Sequence, residues 1–128
     1  MRLLLDTHVA LWAITDSTML NTEARRLILA PRNDLYVSAA SIWEIAIKHS
    51  LGKGNMPISG SAASAWFAKA GYFSLPVTSE HAAQVETLPH HHNDPFDRLL
   101  VAQALVEPMR LLTHDTMIAQ YNDTVILC

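Results

Sequence analysis

The alternation of short apolar segments with longer amphipathic ones is the feature of this sequence that most constrains its fold. The short segments are typical of buried strands, and the longer ones repeat their apolar residues with a helical period. Predicted strands cover residues 2–5, 35–37, 73–77, 110–113 and 125–127. Predicted helices cover residues 8–14, 61–70, 79–88, 95–107 and 116–120, with two more from a cap at Asn21 or Thr22 to about Ala30 and from a cap at Ser38 to near Gly52.

Breaking and capping residues support these boundaries. Ser79 occupies a position typical of a helix N-cap, and Asp94 precedes a proline at the first helical position, where proline is favoured. Residues 52–60 contain Gly and Pro residues that break any period, which predicts a loop. Pro76 cannot donate to a sheet ladder, so we expect the third strand to lie near an edge.

Short strands that alternate with helices are typical of an α/β fold. We expect a single domain over residues 1–128, with a central, mostly parallel sheet of about four to five strands flanked by helices. Right-handed crossovers bring the carboxyl ends of parallel strands to one edge of the sheet. Ligands of open α/β sheets bind at that edge, so functional side chains should follow the strand ends.

Length and composition exclude several classes of protein. A chain of 128 residues, 50% of them hydrophobic and 16% charged, suits one domain with a buried core. The single Cys128 excludes an intrachain disulfide framework and a cysteine-based zinc cluster. Asp6 follows the first apolar residues too early for a secretory signal peptide, and no apolar run reaches the roughly 18–20 residues of a membrane span. We therefore expect a cytoplasmic protein without membrane association.

The net charge alone argues weakly against a nucleic-acid partner. Nine basic and twelve acidic residues give a net charge of −3, whereas nucleic-acid-binding proteins usually carry a basic surface. Acids that converge on a divalent cation reverse this argument, because the metal inverts the local field. The placement of the acids therefore decides the question.

Four acids are predicted to lie on the same edge of the sheet. Asp6 follows the first strand and Asp115 follows the fourth. Glu44 lies two turns into the helix that leaves the second strand, and Asp97 lies in the first turn of its helix. Gathered carboxylates repel one another unless a cation neutralises them, and an all-oxygen site suits Mg²⁺ or Mn²⁺. Such a site is expected of phosphodiester chemistry, in which metals activate water and stabilise the leaving oxygen.

Each of the four acids also has a structural interpretation. Asp6 and Asp115 could act as N-caps, and Asp97 could complement a helix dipole. Glu44 precedes Lys48 by four residues, the favourable orientation for a surface ion pair. For the metal site to be wrong, all four acids would need a purely structural role and would still have to lie on the same edge of the sheet by chance.

Other polar candidates are assigned structure before function. Asp94 fits an N-cap so well that catalysis is its second interpretation. His90, His91 and His92 are interpreted as a polar loop, because consecutive residues rarely point at one ion.

Aromatic and basic residues add two further expectations. Lys48 and Arg98 each follow a candidate ligand and could contact a phosphate; a solvated charge or a carboxylate partner is the structural alternative. The aromatic residues that we interpret as core anchors rather than base-stacking platforms are Trp12, Trp43, Trp66 and Phe96.

Four motifs follow one another along nearly the whole chain: LLLDTHVALW, SAASIWEIAIK, HNDPFDRLLVAQA and LLTHD. In this order and spacing they resemble the PIN-domain nucleases, and within them the VapC-like toxins of bacterial type II toxin–antitoxin pairs. The segment DPFDRLLVAQA is the most specific of the four.

The resemblance implies that Asp6, Glu44, Asp97 and Asp115 are both catalytic and metal-ligating residues. In the family such acids hold one or two Mg²⁺ or Mn²⁺ ions that activate water for in-line cleavage of RNA, leaving a 5′-phosphate and a 3′-hydroxyl. The resemblance also implies a homodimer and a cognate antitoxin whose C-terminal segment blocks the acidic cleft.

A supporting set of residues surrounds the candidate ligands. Thr7 and Thr113 are expected to orient the ligands or a metal-bound water. Asp94, Arg98 and Lys48 complete the set, as a cap and two candidate phosphate contacts.

Other α/β families with acids at strand ends fit less well. A haloacid-dehalogenase phosphatase requires Asp-x-Asp after the first strand, where this chain has His8 in place of the second Asp. A response-regulator receiver requires a late Lys, and no Lys follows Lys69. The alternative that stays open is a catalytically weak PIN-like module that binds RNA or a protein partner.

Overall fold

The computed structural model, which describes residues 1–52 and 55–128, confirms an α/β fold built on one parallel sheet. Its strands are β1 (Arg2–Leu5), β2 (Asp34–Ser38), β3 (Phe73–Leu75), β4 (Arg110–Thr113) and β5 (Val125–Leu127). They lie in the order β3-β2-β1-β4-β5, and every neighbouring pair is parallel. β1 is therefore central, and the carboxyl ends of the strands meet at one edge of the sheet.

Helices connect the strands. They are α1 (Thr7–Ile14), α2 (Thr22–Leu29), α3 (Ala39–Ser50), α4 (Gly60–Lys69), α5 (Ser79–Gln84) and α6 (Pro95–Val106), with 3₁₀ turns at Val85–Thr87 and Ile118–Gln120. As predicted, the Ser38 and Asp94 side chains cap α3 and α6 by accepting hydrogen bonds from backbone N–H groups. Within the described ranges, no helix is both long and apolar enough to cross a membrane.

The start and end of α5 differ from the prediction for a local reason. Thr78, and not Ser79, caps the helix, because Thr78 and His81 exchange side-chain and backbone hydrogen bonds in a capping box. The predicted helix 79–88 ends at Gln84 and gives way to the first 3₁₀ turn. A reciprocal cap of this kind outweighs the preference of serine for an N-cap position.

Three further segments were only partly predicted. β3 lies on an edge of the sheet, as expected, but it ends at Leu75, directly before Pro76, and not at residue 77. Within residues 116–120, where a short helix was predicted, only Ile118–Gln120 is helical, as the second 3₁₀ turn. In the predicted loop 52–60, residues 53 and 54 lie outside the described residues, and Gly60 already belongs to α4.

The core lies on both faces of the sheet, and β1 contributes to each face. Leu3 and Leu5 pack with Val9 and Ile45 on one face, whereas Leu4 packs on the other face with residues that include Leu100. The three β1 leucines are all 0% exposed. Because β1 is packed on both faces, its end is held in a fixed position. The position of Asp6, the next residue of the chain, is therefore fixed as well.

Two of the four aromatic residues interpreted as core anchors are not in the core. Trp43 is 59% exposed and Trp66 is 49% exposed, so that interpretation was wrong for both. Trp12 is partly buried against the core, and Phe96 is partly buried with its ring edge-on to Trp43 at 5.2 Å. Helical spacing alone does not distinguish a tryptophan facing the core from one at the margin of a helix–helix contact.

Gly60 lies where α4 packs against α3, with no space for a side chain, which leads to a stability prediction. A Cβ atom at this position would lie 2.8 Å from the Cβ atom of Ala46. We expect Gly60→Ala to destabilise the protein by about 1–2 kcal/mol through overpacking, although alanine is the better helix former. Chemical denaturation measures this change. Ser64→Ala, an exposed position of the same helix, is the control and should shift stability by less than about 0.5 kcal/mol. Equal stability of Gly60→Ala and wild type would contradict the predicted overpacking.

Candidate functional site

A cleft of about 400 Å³ opens at the carboxyl edge of the sheet. Among the described residues that line it are five carboxylates, from Asp6, Glu44, Asp94, Asp97 and Asp115. The same cleft is lined by Lys48, His8, His92, His114 and Trp12. The four acids predicted to share one edge therefore do share one cavity, although they follow separate elements of the chain.

Asp6 has two roles that the sequence left as alternatives. It caps α1, where its Oδ1 atom accepts a hydrogen bond from the Val9 N–H at 2.8 Å, and it also lines the cleft. Its Oδ2 atom accepts a hydrogen bond from the Thr113 hydroxyl at 2.5 Å. Burial raises the pKa of the Asp6 carboxyl, although both hydrogen bonds favour the ionised form. The side chain is thus held rigidly at the end of β1.

Glu44 is buried and held by partners from two elements. Its Oε1 atom accepts a hydrogen bond from the Thr7 hydroxyl at 2.7 Å, and its Oε2 atom lies 2.6 Å from Lys48 Nζ. The predicted ion pair with Lys48 therefore exists, but it is not a surface pair. The Glu44 side chain is only 4% exposed, and both residues line the cleft. Burial disfavours the charged ammonium, yet the hydrogen bond and charge of Glu44, together with the charges of Asp94 and Asp97, outweigh burial and raise the pKa of Lys48.

Asp97 is a carboxylate whose pKa is shifted by burial and by several neighbouring charges. It lies in the first turn of α6, where its backbone N–H donates to the Asp94 side chain at 3.2 Å. Burial and the negative charge of Asp94 raise the pKa of the Asp97 carboxyl to about 7; His92 opposes this rise, and Glu44 and Asp6 add smaller contributions to it. A pKa this far above the usual range indicates several acids crowded in a partly desolvated cleft.

His92 is a residue of the site that the sequence interpretation missed. Its Nε2 atom lies 3.1 Å from Asp97 Oδ2 and 3.0 Å from Asp115 Oδ2. The ligand atoms of these three residues all lie within 4.8 Å of one another, as a metal site requires. The three histidines do lie in a loop, as interpreted, but His92 also lines the cleft, which the interpretation did not include. The only signal in the sequence was that His92 shortly precedes Asp94 and Asp97. Its contact with Asp115 joins residues 23 positions apart and cannot be predicted from the local sequence.

Arg98 does not face the cleft as a phosphate contact would. The residue is only 8% exposed, and its guanidinium donates hydrogen bonds to the backbone carbonyl oxygens of Pro89, Val85 and Leu88. A further hydrogen bond, at 3.2 Å, joins it to the hydroxyl of Tyr121. Both interpretations made from the sequence are thus wrong: among the described contacts, Arg98 anchors the loop that precedes α6.

The raised pKa of Asp97 predicts how the stability of the metal-free protein depends on pH. A folded-state pKa of about 7, above the ordinary 3.8, means that the folded chain binds the proton more tightly than the unfolded chain. This contribution to stability is present below the ordinary pKa and is lost as the pH rises through about 7. In EDTA we expect a loss of at most about 1 kcal/mol between about pH 6 and about pH 8, since partial exposure screens the effect.

Thermal unfolding in EDTA measures this loss as a fall in melting temperature of ~3–5 °C. Asp97→Asn cannot titrate at this position, so its melting temperature should fall by less over the same range. A wild-type protein that is equally stable at both pH values would show that Asp97 is not strongly perturbed.

Comparisons with known proteins place this fold in a family. The model of the PIN domain family matches residues 3–123. No curated protein sequence matches the chain. Among solved structures, VapBC2 from Rickettsia felis, bound to a DNA fragment from its promoter, aligns with a TM-score of 0.70 at 15% identity, over 100% of this chain and 98% of that chain.

Two other solved structures are similar at comparable identity. A toxin–antitoxin complex from Klebsiella pneumoniae aligns with a TM-score of 0.62 at 15% identity, over 96% of this chain and 94% of that chain. VapBC-1 from nontypeable Haemophilus influenzae gives a TM-score of 0.61 at 20% identity, over 94% and 91% of the two chains. These likenesses support the fold, and the family model covers nearly the whole chain. The protein therefore belongs to the PIN domain family, as its motifs predicted.

Proposed function

We propose that the protein is an endoribonuclease that depends on Mg²⁺ or Mn²⁺ and hydrolyses RNA phosphodiester bonds. The observation that carries this proposal is the convergence of Asp6, Glu44, Asp97 and Asp115 on one cleft of a PIN domain. We assign these four acids as the metal ligands and, with the bound ion, as the catalytic residues.

The donor set in the cleft fits a hard divalent cation. Carboxylate oxygens are ligands that Mg²⁺ and Mn²⁺ prefer. Each oxygen of Asp6 and Glu44 already accepts one hydrogen bond from the protein, and each keeps further acceptor capacity for an ion. The raised pKa of Asp97 reflects burial first and repulsion by neighbouring acids second, and a bound cation would offset both. When bound, the ion supplies an activated water and stabilises the leaving oxygen.

The chain's own residues orient the substrate and the ligands. Thr113 and Thr7 fix the carboxylates of Asp6 and Glu44, so little reorganisation is needed during the reaction. The Lys48 ammonium lines the same cleft and can donate to a phosphate oxygen while keeping its contact with Glu44. Because acids dominate the cleft, the RNA backbone should bind well only after the cation neutralises them.

We further propose that this activity is that of a toxin restrained by an antitoxin. One of the similar solved structures is a toxin–antitoxin complex, and the sequence motifs resemble VapC-like toxins. In this proposal the chain is one domain, acts in the cytoplasm where its RNA substrate occurs, and forms a homodimer. The antitoxin would block the acidic cleft until it is removed.

Cleavage of total cellular RNA by the purified, partner-free protein tests the proposal. Reactions contain Mn²⁺, Mg²⁺ or EDTA, and Asp6→Asn protein prepared in the same way controls for contaminating nucleases. We expect discrete fragments with 5′-phosphate ends that require metal and are absent with Asp6→Asn. Equal cleavage by Asp6→Asn would reject the assigned site. RNA that is bound but never cut, with any metal, would favour the catalytically weak binding module instead.

A further inference from the structure

The side chain of His92 lies between two of the proposed metal ligands. Its Nε2 atom is 3.1 Å from Asp97 Oδ2 and 3.0 Å from Asp115 Oδ2. Two arrangements produce such distances: a nitrogen that shares a metal ion with the two oxygens, or an N–H group that donates to both. The two arrangements require opposite protonation of Nε2, so the partner of the other ring nitrogen distinguishes them.

The other ring nitrogen of His92 already accepts a hydrogen bond. The backbone N–H of Asp94 donates to Nδ1 at 3.0 Å, so Nδ1 carries no proton in this arrangement. A metal-ligating histidine has the reverse arrangement, because its second ring nitrogen almost always donates an N–H to a carboxylate, carbonyl or water. In the neutral ring the proton is therefore on Nε2, and this N–H points at the Asp97 and Asp115 carboxylates.

The loop that carries His92 is anchored from outside the cleft. The His92 backbone N–H donates to the Tyr121 hydroxyl at 3.0 Å, and the same hydroxyl accepts from Arg98 at 3.2 Å. Arg98 also donates to the carbonyl of Pro89 at 2.9 Å. The ring of His91 packs edge-on against Tyr121 at 5.1 Å. The position of the His92 ring is thus fixed by several contacts and does not depend on the two carboxylates alone.

We propose that His92 is a positioning residue that holds the Asp97 and Asp115 carboxylates together in the metal-free protein, and that a divalent cation displaces its N–H group from between them. The inference rests on the proposed metal site and adds to it a group that competes with the ion. In the metal-free cleft the Nε2–H partly offsets the repulsion between the Asp97 and Asp115 carboxylates. In the loaded cleft the cation takes over this role. His92 is therefore not a metal ligand.

Calorimetric titration of the metal-free protein with Mn²⁺ tests this inference without an activity assay. At about pH 8.5, above the pKa of about 7 of Asp97, deprotonation of that carboxyl does not limit binding. His92→Ala removes the competing donor from the metal-free state only, so it should bind Mn²⁺ about tenfold more tightly than wild type. Tyr121→Phe loosens the loop from outside the cleft and should tighten binding by a smaller factor. His90→Ala, an exposed position of the same loop, is the control and should match wild type.

A spectroscopic measurement separates a donor from a ligand directly. Pulsed electron paramagnetic resonance of the Mn²⁺-loaded wild type should reveal no coordinated-nitrogen coupling that disappears in His92→Ala. Such a coupling, or Mn²⁺ affinity in His92→Ala that is unchanged or weaker, would overturn the inference while leaving the metal site in place. If wild type bound no Mn²⁺ at all, the proposed metal site would fail first and the inference would fail with it.

Discussion

Asp97→Asn should lower metal-dependent RNA cleavage by at least about a hundredfold, because even residues behind the metal ligands commonly contribute 10–100-fold. Asparagine keeps the size of the side chain and removes its charge, so the loss would come from the ligand and not from packing. Burial and neighbouring acids already disfavour the ionised carboxyl of Asp97. The same substitution should therefore leave the metal-free protein at least as stable as wild type at about pH 8.

This combination of lost activity and retained stability distinguishes a functional acid from a structural one. Initial rates on one RNA substrate at fixed Mn²⁺, together with melting temperatures in EDTA, measure both properties on the same samples. Asp34→Asn is the matched control, since Asp34 is exposed at the amino end of β2, away from the carboxyl edge of the sheet, and should cleave at the wild-type rate. A rate for Asp97→Asn within a few fold of wild type would remove Asp97 from the site.

The fold was largely predictable because its strands are short apolar segments buried on both sides. Leu3, Leu4 and Leu5 are consecutive and fully buried, which is the pattern of a central parallel strand. The boundaries that were missed depend on contacts between side chains and backbone. The hydrogen bonds exchanged by Thr78 and His81 fix the start of α5, and neither residue is exceptional in sequence alone.

The four acids were predictable because parallel topology places every strand end on one edge. Their structural interpretations were not wrong but incomplete. Asp6 does cap α1 and Glu44 does pair with Lys48, yet both carboxylates face the cleft. In this fold the element that needs a cap begins at the edge where ligands bind, so one carboxylate can serve both purposes.

The loop before α6 could not be predicted, because long-range contacts determine its conformation. His92 contacts Asp115 across 23 positions of sequence, and Arg98 contacts Tyr121 across the same separation. Local rules treat consecutive histidines as solvated and an arginine beside a ligand as a phosphate contact. Burial of Arg98 contradicts the phosphate contact, since a guanidinium enclosed by carbonyl oxygens is not available to RNA.

Arg98→Met should therefore behave as a stability variant. Methionine keeps an unbranched apolar stem but donates no hydrogen bonds, so the carbonyls of Pro89, Val85 and Leu88 lose their described donor. We expect the free energy of unfolding to fall by about 2–3 kcal/mol and the melting temperature by ~10 °C. Thermal and chemical unfolding in EDTA measure the loss without contributions from metal or RNA.

Arg26→Met provides the control for loss of an arginine charge. Arg26 is exposed on α2 and pairs with Glu23, and exposed ion pairs contribute little, so its replacement should leave the melting temperature close to that of wild type. The salt dependence of RNA binding by Arg98→Met then separates the two roles of Arg98. An arginine that neutralises a phosphate contributes to the slope of affinity against salt concentration, whereas a buried anchor does not. An Arg98→Met protein with wild-type stability, weaker RNA binding and a reduced slope would contradict the anchoring role and restore the phosphate contact. If stability falls while the slope is unchanged, Arg98 acts on the site by holding the loop that carries His92.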